Sequence, residues 1–278
     1  TENDLKAFKE HLEEKRSDKS EENVLTEALN GVKYTYDLDL LVYTKNIEDK
    51  IIRSDSEELM MDIMKETFGM DMTSMIAMGE ESGMMTNSSM EMMSSFSMGG
   101  TSLILWQEML SGDDGKTINP LLEKQYDVIY GSWPNSYDEI VLVVDEKNEV
   151  DDVTLYALGL LSKDEVKKVT EAAINKTELE RVERKWSFED ICDTEFRVIL
   201  NSDCYRYDEA TDSYVDMRET ETGLKYLYDN ATVLKVSGII RPSEDAVSAM
   251  LSGSIGYTGK LTQHVVNKMY ESKALAAQ

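Results

Sequence analysis

The two longest apolar runs of the chain, Ile140 to Val144 and the interrupted Val233 to Ile240, are no longer than strands. A helix that crosses a bilayer needs about 20 consecutive apolar residues, so neither run spans a membrane and the core must be assembled from short segments. Those segments alternate in type. Leu5, Phe8 and Leu12 recur at helical spacing across Asp4 to Lys15. After a polar stretch from Arg16 to Asn23, residues Val32 to Thr44 alternate and are rich in Tyr, Val and Leu, as a strand requires. Ile51 to Arg53 reads as a second, short strand. Ser54, with Glu57 three residues on, forms a capping-box signature. It opens a helix carrying Leu59, Met60, Ile63, Met64 and Phe68, and Gly69 is placed to stop it.

Beyond Gly69 the periodicity fails. Ten methionines between Met70 and Met98 lie among Ser, Gly, Thr and Glu with no constant spacing. Three readings stay open for them: packing or a mobile apolar flap, a contact surface for peptide or lipid, and a Cu(I) site of soft thioethers. No His or Cys stands among them to favour the metal. Thr101 to Trp106 then reads as a buried strand, Asn119-Pro120 as a helix start, Tyr126 to Tyr130 as a strand, and Gly131 to Ser136 as a turn into the strand Glu139 to Val144.

Ser162 to Glu165 is a second capping box, with Val166, Val169 and Ala173 on the inward face of its helix. The strand Glu195 to Leu200, a polar loop from Tyr205 to Met217 and a short helix from Gly223 to Asn230 follow. The strand Val233 to Ile240, a turn at Arg241-Pro242, a strand Gly253 to Tyr257 and a helix from Leu261 to Lys273 close the chain. This mixture predicts an α+β fold.

Charge divides the same sequence. Fifty-five acidic against 29 basic residues leave a formal charge of −26, which excludes a general nucleic-acid binder because the phosphate backbone would repel it. Residues 126–231 hold 26 acidic and 12 basic side chains, a net of −14, whereas residues 232–278 hold three and five, a net of +2. A cationic partner, such as an antimicrobial peptide, suits the acidic middle. The hydrophobic share of 41% is enough for a sizeable core.

Catalytic constellations are missing from the sequence. His11 and His264 are the two histidines, each on an expected surface helix and read as solvated. Two histidines and two cysteines, scattered, do not make a zinc site. Cys192 and Cys204 flank a strand of about six residues, whose ends stand about 20 Å apart, so a bridge between them needs the chain to double back. Gly112-Asp113-Asp114-Gly115-Lys116-Thr117 resembles a phosphate-binding loop in outline, but that motif needs Gly where Leu110 stands, and it reads as a turn. Asp145, Glu146, Glu149, Asp151 and Asp152 lack the spacing of a calcium loop and read as a solvated hairpin tip. No catalytic, cofactor-binding or metal-binding residue is therefore expected, no cofactor is implied, and a carboxylate-dependent hydrolase has no pocket chemistry to name. The chain opens at Thr1-Glu2-Asn3-Asp4 with neither leader nor initiator Met, and reads as trimmed from something longer.

Tyr126-Asp127-Val128-Ile129-Tyr130-Gly131-Ser132-Trp133-Pro134, followed by Tyr137-Asp138-Glu139-Ile140-Val141-Leu142, resembles the strand, Gly-x-x-Pro, Asp-Glu-Ile-Val-Leu passage of the extracytoplasmic core domain of MacB-like and FtsX-like ABC transporter permeases. Leu234-Lys235-Val236-Ser237-Gly238-Ile239-Ile240-Arg241-Pro242 resembles the returning strand of that domain, and Ile255-Gly256-Tyr257-Thr258 its final element. The likeness is greatest to the large extracellular loops of Gram-positive members. It implies a discontinuous porter-like α/β subdomain made of residues 1–125 and 232–278, with a mixed α+β subdomain, residues 126–231, inserted. It further implies a non-enzymatic domain on the extracellular face of the cell membrane, between transmembrane helices 1 and 2 of a permease that is dimeric in the full transporter. A separate cytoplasmic ATPase would supply the energy, and the domain would transmit motion or handle a peptide, lipid or antibiotic. The alternative is a free-standing secreted or lipid-anchored binding protein. A loop between two membrane helices would hold residues 1 and 278 within roughly 25 Å of each other, allowing a few extended residues at each end.

Overall fold

The computed structural model describes residues 5–17, 32–33, 38–68, 105–112, 115–178, 183–210, 212–246, 248–251 and 253–271. The methionine-rich stretch, Gly69, residues 34–37 of the strand expected over Val32 to Thr44 and the distance between residues 1 and 278 lie outside them; residues 32–33 and 38–40 are not strand, which begins at Leu41. Within them the fold is α+β, built on a mixed sheet with helices against it.

The elements in chain order are α1 (Leu5–Ser17), β1 (Leu41–Lys45), β2 (Ile51–Arg53), α2 (Ser56–Phe68), β3 (Trp106–Glu108), α3 (Pro120–Gln125), β4 (Tyr126–Gly131) and β5 (Glu139–Val143). Then come α4 (Asp152–Ala157), α5 (Lys163–Asn175), α6 (Phe188–Cys192), β6 (Glu195–Ile199), β7 (Tyr205–Asp208), β8 (Ser213–Asp216), α7 (Glu221–Asn230), β9 (Thr232–Pro242), β10 (Ile255–Tyr257) and α8 (Gly259–Glu271). The main sheet runs β2-β1-β6-β9-β5-β10-β3, with β4 also paired to β9. β5 lies parallel to β9, and β3 to β10; the other pairs are antiparallel. Residues 1–125, 126–231 and 232–278 all contribute strands to it. The boundaries at 126 and 232 are the first residues of β4 and β9.

β9 is the hub. Its first half pairs with β6 and its second half with β4, end to end along one edge, while β5 takes the other edge. The strand changes register at Ser237: Val236 sits opposite Ile140, and Gly238 opposite the next residue, Val141. An extra residue of this kind resets the two-residue alternation of side chains. Leu234, Val236 and Ile239 therefore face one core, with Ile140, Leu142, Phe196 and Val198, whereas Ile240 faces the other, with Val141, Tyr126 and Leu122. The Ser237 hydroxyl donates to the carbonyls of Ile140 and Ser132, and its own carbonyl accepts from Ser132 N–H at 2.9 Å. Gly131 reaches this bulge with φ +69°, and a Cβ there would lie 2.2 Å from the Ser237 carbonyl oxygen.

Helices cover both faces of the sheet. Leu261 and Val265 of α8 and Ile191 of α6 pack on the first core, which continues into a cluster of Leu59 and Ile63 from α2, Leu155 and Ala157 from α4, and Val166 from α5. On the other face, Leu227 and Tyr228 of α7 cover Leu41, Tyr43 and Ile199. The Ser162–Glu165 box is present in full.

Several local expectations are corrected. The helix expected to open at Ser54 starts at Ser56; the Ser54 hydroxyl donates to the Ala157 carbonyl at 2.8 Å and its oxygen accepts from the Trp106 indole N–H at 3.1 Å. Ala172 rather than Ala173 is buried on α5. Arg241-Pro242 is the end of β9 rather than a turn, because Pro242 needs no N–H at that position and pairs with Tyr126. Tyr205 to Met217 is not a loop but contains an antiparallel hairpin, β7–β8. The acidic stretch after Val144 is not a hairpin tip: it joins β5 to α4, with Asp145 accepting from the N–H groups of Lys147 and Glu149 and Asp151 capping the helix.

Candidate functional site

The residues singled out by type are not assembled into a reactive site. His11 is exposed on α1, and His264 stacks flat on Tyr137, with ring centroids 4.0 Å apart. Burial, with Lys268 nearby, lowers the His264 pKa, so its imidazole is neutral at pH 7. Cys192 and Cys204 are free thiols, and burial raises both pKa values. Cys204 is buried against Leu227 and Tyr228. Among the described residues no group of three or more His, Cys, Asp or Glu is arranged to hold a metal ion. The Gly112 N–H donates to the Lys116 carbonyl at 3.1 Å; residues 113 and 114 of that sequence lie outside the described residues.

The structure instead opens a cleft of about 410 Å³ where β2, α2, α4 and α7 meet. Asp55, Glu58 and Asp62 line one wall, because separations of three and four residues place successive side chains on one face of a helix. Tyr43, Tyr156, Arg53 and Arg218 complete a mostly polar lining, with Ile51, Leu59 and Leu224 as its apolar members.

The charges in the cleft are unevenly paired. Arg53 reaches Asp39 at 2.8 Å and Asp55 at 3.1 Å, leaving Glu58 at 3.8 Å. Arg218 is held by Asp216, its Nε lying 2.9 and 3.1 Å from the two carboxylate oxygens. Asp62 accepts from Lys163 at 2.9 Å. Glu58, whose side chain stays 58% exposed, has the longest of these ion pairs; partial loss of water raises its pKa first of all, and Asp55 and Asp62 push the same way against Arg53 and Arg218. Burial pushes the Tyr156 phenol up to about 12, with Glu58 adding to it. Tyr156 thus stays a neutral hydroxyl in the physiological range, offering a hydrogen bond rather than a charge.

Beside the cleft stands the β7–β8 hairpin, which pairs with no other strand among the described residues. Opposed residues of an antiparallel pair point to one face, so Tyr205, Tyr207, Tyr214 and Asp216 share a side. Tyr207 and Tyr214 meet edge to face at 5.4 Å, and the three tyrosines remain 49%, 48% and 58% exposed. Arg218 joins the two features. It lines the cleft while its guanidinium lies 5.6 Å from the Tyr205 ring centre and donates to the Tyr205 hydroxyl at 3.2 Å.

None of these cleft residues follows from a motif. The Asp55, Glu58, Asp62 spacing was readable as an acidic helix face, but in a chain with 55 carboxylates it carried no distinction. Arg218 and Tyr156 come from more than 90 residues away. Compared with models of protein families, with curated proteins and with solved structures, the chain matches none of them.

Proposed function

We propose that the chain is the extracellular, non-enzymatic domain of an ABC transporter permease of the MacB-like and FtsX-like group, set between transmembrane helices 1 and 2. Its partners would be the rest of a dimeric permease and a separate cytoplasmic ATPase, and its substrate a peptide, lipid or antibiotic. One observation carries the reading. The first of the three passages that resemble the family ends more than 90 residues before the other two, yet together they form one contiguous block, β4-β9-β5-β10, which leads directly into α8. A scatter of chance likenesses has no reason to be adjacent in space. No helix among the described residues is long and apolar enough to cross a membrane, so this reading takes its membrane helices from flanking sequence.

The test is topological. Glu146→Cys, in an exposed turn, is introduced into the full-length gene product, and intact cells are treated with a membrane-impermeant maleimide. Labelling above that of the unsubstituted protein, together with co-purification of an ATPase in detergent, is expected. Labelling only after lysis overturns the reading. The cleft favours a second reading, a free-standing secreted or lipid-anchored binding protein, for which labelling of intact cells would come without an ATPase partner.

A further inference from the structure

The β7–β8 hairpin poses a physical problem. Two strands alone are marginal in water, and this pair presents a face of half-exposed tyrosines that no other strand among the described residues covers. A purely apolar partner does not suit it, because residues 203–221 carry seven carboxylates and two arginines. A second copy of the chain, at −26, or an anionic membrane or nucleic acid would be repelled. Cations are favoured on both counts, since carboxylates draw them in and an aromatic face attracts them through its quadrupole.

The molecule already uses this chemistry internally. Arg218 lies against Tyr205 at 5.6 Å, and Arg197 lies over Tyr228 at 5.3 Å. Tyr207 and Tyr214, farther along the same hairpin face, offer equivalent rings. From them the surface leads past Tyr205 and Arg218 into the cleft, where Glu58 is the carboxylate with the most distant cationic partner.

We propose that the tyrosine face of the hairpin and the adjoining cleft form a binding site for an extended peptide segment bearing arginine or lysine side chains. Tyr207 and Tyr214 take cationic heads on their rings, and Glu58 takes a further one in the cleft. The proposal gives a ligand class to the substrate-handling reading above and rests on it only for the biological use of the contact. Binding in solution and membrane topology are tested separately, so either can fail alone.

The probe is the amidated peptide Gly-Arg-Gly-Arg-Gly-Arg, titrated calorimetrically into the 278-residue protein at 20 and 150 mM salt, with Gly-Glu-Gly-Glu-Gly-Glu as control. The arginine peptide is expected to bind and the glutamate peptide not to. Tyr207→Ala/Tyr214→Ala should weaken binding about tenfold, from two exposed cation–ring contacts, and Tyr207→Phe/Tyr214→Phe should restore most of it. Glu58→Gln should weaken binding without touching the hairpin, which keeps the test open if the alanine variant loses its hairpin. Glu146→Gln, an equal charge change in a distant turn, should leave affinity unchanged. No binding at 20 mM salt overturns the proposal. So does a loss that is the same for Glu146→Gln as for Glu58→Gln, or failure of phenylalanine to restore what alanine removes, since either would mean diffuse charge attraction rather than a site.

Discussion

Ser162 accepts from the Glu165 N–H, while the Glu165 carboxylate accepts from the Ser162 N–H at 3.2 Å, so two backbone donors at the start of α5 are satisfied reciprocally. Ser162→Ala should cost about 1 kcal/mol, read as a lower urea midpoint with an unchanged slope. Glu165 also pairs with Arg184, whose guanidinium holds the carboxyl down to about 2. A depressed folded-state pKa contributes stability that is complete above the ordinary value near 4.5 and is lost as pH falls towards about 2. The pair is partly exposed, so the contribution is about 0–1 kcal/mol. Between pH 6 and pH 3 the wild-type protein should lose more stability than Glu165→Gln, measured by denaturation at each pH; equal losses would remove Glu165 from the account. This cap was legible in the sequence because all its partners are local. The Ser54 signature looked the same, yet the helix starts two residues later, and the Ser54 oxygen accepts from the indole N–H of Trp106, a partner 52 residues away.

At the scale of elements, periodicity located β4, β5, β6 and α7 within a residue or two, because each buries a regular set of apolar side chains. It missed the β7–β8 hairpin, whose strands are four residues long and wet on both faces, so that no inside-outside alternation marks them. It also could not see the bulge in β9: the run from Val233 to Ile240 is apolar on both sides of Ser237, and the change of face shows only against β5. Gly131 is bound to that bulge. Gly131→Ala would put a Cβ into the Ser237 carbonyl at an unfavourable positive φ, and should destabilise by at least about 1–3 kcal/mol, seen as a lowered melting temperature or as loss of soluble protein. Retention of wild-type stability would mean that the bulge can relax. The cleft was not legible at all, because it belongs to no single element.

For the whole molecule, charge marks position 232 but not 126: residues 1–125 and 126–231 each carry 26 acidic and 12 basic side chains, whereas residues 232–278 turn to +2, and all three segments enter one sheet. Ile239, fully buried in β9 between β4 and β5, belongs to the part on which every segment depends. Ile239→Ala should cost about 2–5 kcal/mol, whereas Tyr207→Ala on the hairpin should stay within about 1 kcal/mol; chemical denaturation of the two variants side by side checks the contrast. The position of β9 also bears on how the chain is made. A ribosome that has delivered residue 231 has produced β4, β5 and β6, yet the strand that joins them has not emerged, and their facing edges are open to any other strand. Pairing across such sequence distances is slow to start. Until β9 follows, the sheet stays open, and the net charge of −28 on residues 1–231, 52 acidic against 24 basic side chains, opposes association between neighbouring unfinished chains.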